Sequence, residues 1–217
     1  MINNILARLK YEVRRIIWSA DIEFNLVKAR VDNIEGWILD DAGYLLYCLS
    51  KRYNINIIVE LGSWQGKSST WIASGLEGKH GAKLYCVDTW AGSPVTGARD
   101  PSYQVDVSSV FDQNMKSNKL DTLVEKIQMR TCEAAIYWNN RDEKQIDMLI
   151  IDADHSYQAV CEDYEKWSHF VPIGGFIVFD DVPSWSGPTR LCSELERERK
   201  IKVILRAKNT VFVVKIR

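Results

Sequence analysis

Nothing in this sequence pairs its cysteines. Cys48, Cys86, Cys132, Cys161 and Cys192 are odd in number, widely spaced and form no C-x-x-C unit, so a disulfide frame and a zinc site are both disfavoured and the five read as reduced thiols. Charge of one sign is missing too. The 28 basic and 29 acidic side chains leave a formal charge of -1, which supplies no general drive toward nucleic acid or an anionic membrane. No segment approaches the roughly 20 apolar residues of a spanning helix, and Arg8, Lys10, Arg14 and Arg15 interrupt the start before an apolar signal core can form. The expectation is a cytoplasmic protein with no nucleic-acid partner and no stable membrane insertion. Internal repeats are absent. With 46% hydrophobic and 26% charged residues, disorder, collagen-like structure and low-complexity architecture are disfavoured as well.

What is present fits one domain with a sizeable core. Ile5, Leu6, Leu9, Val13, Ile16 and Ile17 recur at helical spacing. They read as an amphipathic helix whose apolar stripe covers the main domain, and a homo-oligomer through the N-terminal helices stays open. A second helix is expected over Asp40 to Tyr53. Residues 1–53 are therefore read as an N-terminal helical cap and 54–217 as the main domain.

From Ile55 short apolar runs alternate with helical stretches, the pattern of βαβ units around a parallel sheet. Strands are expected at Ile55 to Glu60, Lys83 to Asp88, Ile127 to Arg130, Ile146 to Asp152 and Gly175 to Asp180. Runs such as Met148-Leu149-Ile150-Ile151 imply burial on both faces. Ile201 to Ala207 and Thr210 to Ile216, flanking Lys208-Asn209, read as an antiparallel hairpin closing one edge. Ala91 to Ser109, with Gly92, Pro94, Gly97 and Pro101, reads as a long functional loop.

The first strand runs into Glu60-Leu61-Gly62-Ser63-Trp64-Gln65-Gly66-Lys67-Ser68. A phosphate loop would share the ending Gly66-Lys67-Ser68, with the strand ending in Asp152 as its magnesium holder. It needs four residues between its glycines to turn enough N–H groups inward, and here there are three. A dinucleotide loop needs a glycine where Ser63-Trp64 stands. S-adenosylmethionine makes neither demand. Glu60 can face its ammonium, Gly62 and Gly66 keep the backbone close, and Asp88 at the next strand end can accept from both ribose hydroxyls. The rival reading, in which the glycines make only a tight turn and Glu60 caps a helix, leaves Asp88 without a task.

Together, Val59-Glu60-Leu61-Gly62 with Gly66 and Ser68, Val87-Asp88-Thr89-Trp90, Ile151-Asp152-Ala153-Asp154-His155-Ser156-Tyr157, and Pro172-Ile173-Gly174-Gly175 leading to Asp180-Asp181 resemble the class I S-adenosylmethionine-dependent methyltransferases. The resemblance is to the metal-dependent O-methyltransferases of catechol, caffeoyl-coenzyme A and macrocin type, and runs from about Ile34 to the C-terminus. It implies an α/β, Rossmann-like fold with a mostly parallel seven-stranded sheet, a C-terminal antiparallel hairpin and helices on both faces. It also implies cofactor contacts from Glu60, Gly62, Ser63, Gly66, Ser68, Asp88, Thr89, Trp90 and Asp152, with Thr131, Cys132 and Glu133 near the adenine.

Asp152 and Asp180 end two strands which, if adjacent, bring the backbones to roughly 4.8 Å. Carboxylates so gathered repel unless they share a proton or cation, and oxygen ligands suit magnesium or calcium. The family's metal positions match Asp152, Asp180 and Asp181, which makes magnesium the expected ion and leaves Asp154 a supporting or helix-capping residue. His155 is suited to take a proton near neutral pH, although catechol-type relatives carry lysine there. The implied reaction is methylation of a hydroxyl on a small molecule, a sugar or another vicinal-oxygen acceptor, with His155 and Asp152 catalytic. A nucleotide-hydrolysing protein and a non-catalytic cofactor-binding module of the same fold are the alternatives.

Overall fold

The computed structural model describes residues 21–91, 106–142 and 144–217. The expected helix of the first twenty residues and most of the loop from Ala91 to Ser109 lie outside them. Along the described chain run α1 (Ile22–Val31), α2 (Asp40–Arg52), β1 (Ile57–Leu61), α3 (Lys67–Leu76), β2 (Lys83–Asp88), α4 (Val107–Ser117), β3 (Val124–Gln128), α5 (Thr131–Asn139), β4 (Met148–Ile151), α6 (Tyr157–Trp167), β5 (Phe176–Phe179), α7 (Ser186–Arg197), β6 (Ile201–Ala207) and β7 (Thr210–Lys215). The seven strands form one sheet in the order β3-β2-β1-β4-β5-β7-β6. The first five are parallel, and the β6–β7 hairpin adds antiparallel to β5.

Strand alternation divides the interior into two layers. Ile58, Leu84, Cys86, Met148, Ile150 and Val178 point to one face and pack with Phe24, Tyr44, Leu46, Trp71 and Ile72 from α1, α2 and α3. Val59, Leu61, Tyr85, Val87, Leu149, Ile151, Ile177 and Phe179 point to the other and pack with Trp138, Tyr164, Trp167 and Leu191 from α5, α6 and α7. Helices thus cover both faces, and residues 21–53 share a continuous core with the sheet.

The third strand corrects the expected boundaries. Pairing begins at Val124, the partner of Leu84, and ends at Gln128, the partner of Asp88; Met129 and Arg130 belong to the following turn. β3 is an edge strand, so it lacks the continuous apolar run of a central one. Its Lys126 reaches Asp112 at 3.1 Å and its Glu125 reaches Arg141 at 2.8 Å.

Candidate active site

The alternation that sorts the core also sorts the acids. Counting by twos from Ile58, Cys86, Ile150 and Val178 reaches Glu60, Asp88, Asp152 and Asp180, all at or just past the C-terminal ends of their strands and on the face covered by α1, α2 and α3. In an open α/β sheet this edge is where ligands bind. Asp152 follows the register pair Ile151 and Phe179, and Asp180 N–H donates to Ile151 O at 3.2 Å. The two expected strand tips are therefore adjacent.

The glycine loop passes between the tips of β2 and β4. Gly62 N–H donates to Val87 O at 2.9 Å and Asp152 N–H donates to Leu61 O at 2.9 Å. Gly62 has φ +88°, and a Cβ there would stand 2.0 Å from Asp152 O, so only glycine allows this approach. Gly66 begins α3 with φ +87°. Lys67 does not reach inward as a phosphate-binding lysine would; its Nζ donates to Gly36 O at 3.2 Å. Residues 35–37 strap the loop from outside, with Gln65 donating to Glu35 at 3.2 Å and Trp37 stacked on Trp64 at 4.3 Å.

Glu60 lies wholly inside. Its Oε2 accepts from Ser63 Oγ at 2.7 Å and from Ser69 Oγ, with Cys86 Sγ at 3.6 Å. Its Oε1 is buried without a partner. Burial pushes this carboxyl up, against the pull of the Ser68, Ser69 and Ser63 hydroxyls. The orphaned oxygen fits a cationic donor brought by a ligand. Asp88 anchors the loop: Oδ2 accepts from Ser63 N–H at 3.0 Å and Trp64 N–H at 2.9 Å, and Oδ1 accepts from Trp90 N–H at 2.7 Å. Of about four acceptor sites on a carboxylate, one on Oδ1 is left for an outside hydroxyl. Trp90 is buried, and its indole N–H holds Trp64 O at 2.7 Å. Thr89 caps the turn after β2 by accepting from Ala91 N–H at 3.2 Å.

On the far side of Asp88, Met129 N–H donates to Asp88 O at 3.1 Å. This places Thr131, Cys132 and Glu133, the first turn of α5, next along the same edge. Thr131 and Cys132 are partly buried and Glu133 is exposed.

At the other end, Asp152, His155 and Asp181 each bring one ligand atom within 4.8 Å of the others. His155 Nε2 is 3.4 Å from Asp181 Oδ2, and its ring lies 4.9 Å from that of Trp185. Asp180 is not in that trio; it is buried below, where its Oδ1 accepts from the Thr210 hydroxyl. The neighbouring residue of the hairpin, Asn209, donates from Nδ2 to Asp181 Oδ1 at 3.4 Å. Burial, then Asp180 and Asp181, push the Asp152 carboxyl well above its ordinary range, with Glu60 and Asp88 adding to it. Burial likewise pushes Asp180 up to about 6, opposed by the Thr210 hydroxyl and helped by Asp181 and Asp41. Mutual repulsion among buried acids favours a shared proton or a bound cation, and two carboxylates with an imidazole, backed by a third carboxylate, form a donor set that accepts a divalent ion. Asp154 accepts from Ser156 N–H at 2.7 Å and so shapes the start of α6.

Sequence reasoning did not single out Ser69, Asn209, Thr210 or Gly187. Gly187 opens α7 against the loop that carries His155, where a Cβ would stand 2.2 Å from His155 O. Their tasks come from contacts between distant segments, and only the small size of Gly187 leaves a trace in the sequence.

A family model described as a methyltransferase domain matches residues 59–182, which carry every acid of the crevice and the glycine loop. The chain belongs to this methyltransferase family. The methyltransferase shares its fold with an O-methyltransferase from Bacillus cereus solved in complex with SAH, at TM-score 0.68 and 18% identity over 94% of this chain and 98% of that one. TomG from Streptomyces achromogenes, an O-methyltransferase involved in tomaymycin synthesis and solved with SAM, superposes at TM-score 0.67 and 16% identity, over 95% and 97% of the two chains. Among curated proteins, uncharacterised protein R132 of Acanthamoeba polyphaga mimivirus is 53% identical over 40 residues, a match that spans 18% of this methyltransferase and 18% of that protein. These likenesses give the nucleotide-hydrolysing alternative no support. No helix among the described residues is long and apolar enough to cross a membrane.

Proposed function

We propose that this methyltransferase transfers the methyl group of S-adenosylmethionine to a hydroxyl of a small molecule, yielding a methyl ether and S-adenosylhomocysteine. The observation that carries this reading is the placement of Glu60, Asp88, Asp152 and Asp180 on one face at one edge of the sheet, around the glycine loop. The solved relatives with SAH and SAM support the choice of cofactor.

Asp88, Gly62, Ser63, Gly66, Ser68, Thr89 and Trp90 would line the nucleoside and loop side, Glu60 and Asp152 the amino acid side, and Thr131, Cys132 and Glu133 the adenine. Asp152 and Asp181 would hold a divalent ion, magnesium by their oxygen atoms, with the buried Asp180 carboxylate behind them. When bound, the ion supplies Lewis acidity toward the acceptor hydroxyl. His155 accepts the hydroxyl proton at a ring nitrogen, with the Asp181 carboxylate 3.4 Å from Nε2 orienting the ring. Positioning supplies most of the remaining acceleration. Trp185, 43% exposed beside His155, offers an apolar ring face, which favours an acceptor that is itself a ring bearing neighbouring oxygens, such as a sugar.

Incubating the protein with labelled methyl donor and a panel of hydroxylated sugars and phenols tests this. Label appearing in an ether product supports the reading, and label confined to nitrogen or carbon positions across a wider panel overturns the oxygen assignment.

A further inference from the structure

Lys126 is a cation that the reaction does not use. It lies on the edge strand β3, two residues before Gln128, the register partner of Asp88, and so points to the same face of the sheet as Asp88. Its ammonium is held by α4: Nζ donates to Ser108 Oγ at 2.6 Å, to Ser108 O at 3.0 Å and to both carboxylate oxygens of Asp112 at 3.1 Å. From there it stands 4.6 Å from the centre of the Trp90 ring and 5.8 Å from that of Phe111. A cation at such a distance over an aromatic face is attracted to it, the more so where water is partly excluded. Only 21% of the Lys126 side chain is exposed.

Trp90 is where this contact meets the crevice. Its φ is +53°, a left-handed backbone that a bulky residue keeps only where its surroundings hold it. The indole is held three ways: Nε1 donates to Trp64 O at 2.7 Å, the Phe111 ring lies 5.2 Å away, and Lys126 covers a face. The backbone so fixed aims Trp90 N–H at Asp88 Oδ1, 2.7 Å away. That oxygen is the one with an acceptor site left over. Trp64, which receives the indole bond, donates its own N–H to Asp88 Oδ2 at 2.9 Å, so the Trp90 ring joins groups that set both carboxylate oxygens.

We propose that Lys126 is a positioning residue for the ribose of the cofactor, acting through the Trp90 ring to fix the Asp88 carboxylate. This rests on the S-adenosylmethionine reading above. The ammonium acts at one remove: it holds the ring, the ring holds the turn, and the turn holds the acceptor oxygen.

Calorimetric titration with S-adenosylhomocysteine, adenosine and dideoxyadenosine, which lacks the two neighbouring ribose hydroxyls, tests it on the wild type, Lys126→Met, Lys126→Gln, Lys126→Arg and Asp112→Asn. The ratio of adenosine to dideoxyadenosine affinity reads the ribose contact alone. A hydrogen bond to a charged acceptor corresponds to about tenfold or more, so the wild type should prefer adenosine by about that factor. Lys126→Met and Lys126→Gln should shrink the preference to within about threefold, while dideoxyadenosine binds within about twofold of wild type. Lys126→Arg, which keeps a cation over the ring, and Asp112→Asn, which leaves Ser108 to hold the ammonium, should retain it. Should Lys126→Met fail to fold, Lys126→Gln, whose amide keeps a donor toward α4, carries the test. A preference undiminished in the uncharged variants, equal weakening of both nucleosides, Asp112→Asn as impaired as Lys126→Met, or a wild type that binds S-adenosylhomocysteine yet shows no preference overturns the inference while leaving the cofactor reading intact. A wild type that binds no S-adenosylhomocysteine overturns both.

Discussion

His155 Nε2 faces Asp181 Oδ2 across 3.4 Å, with the Trp185 ring 4.9 Å from the imidazole. General-base catalysis contributes about 10²–10⁴-fold. His155→Ala should therefore lower kcat by about that range while the affinity for S-adenosylhomocysteine, measured separately, stays within about twofold. A parallel fall in both would show that the histidine holds the crevice together instead.

Removing acids should uncouple metal from cofactor. Asp152→Asn and Asp181→Asn leave the remaining ligand atoms in place but remove the charge that retains a cation. Binding of Mn²⁺, followed by its electron paramagnetic resonance signal, should fall at least about tenfold in both, with a chelator abolishing turnover of the wild type. Full turnover after chelation and dialysis would contradict the metal role.

Gly62 tests the loop. A methyl group there would lie 2.0 Å from Asp152 O at a φ of +88°, so Gly62→Ala should cost about 3 kcal/mol. That corresponds to a melting temperature lower by roughly 10 °C, together with loss of S-adenosylhomocysteine binding, measured by differential scanning fluorimetry with and without ligand. An unchanged melting temperature would mean that the loop and the β4 tip are not in contact.

Much of this arrangement is written locally. β1, β2, β4 and β5 are buried on both faces, so their residues form apolar runs that end in acids, and adjacent tips follow once the strands are parallel. β3 was displaced because an edge strand tolerates Glu125 and Lys126. The support of the acids was not legible. Thr210 stands 30 residues from Asp180 and Asn209 stands 28 from Asp181, and no periodicity connects a hairpin turn to a strand end. Asp163, a buried carboxylate on α6, was hidden for a related reason. At helical spacing it reads as part of an exposed face, and only the packing of α6 on α5 reveals its burial.

That burial has a sign. The environment pushes the Asp163 carboxyl up to about 7 from an ordinary 3.8. Between these values the folded protein holds a proton that the unfolded chain has released, so the contribution of this group to stability falls as pH rises from about 4 to about 7 and is level above. Asp163→Asn removes the titration. Its stability relative to wild type should climb across that window, by roughly 4 kcal/mol at most, and thermal unfolding at pH 5 and pH 8 checks this. A constant difference between the two proteins would contradict it.

The account depends most on what occupies the edge lined by Glu60, Gly62 and Asp88. Calorimetric titration of the wild-type protein with S-adenosylhomocysteine and, separately, with ATP and magnesium addresses that directly. The account predicts a saturable one-site heat from S-adenosylhomocysteine and none from ATP. Saturable heat from ATP with none from S-adenosylhomocysteine would contradict it.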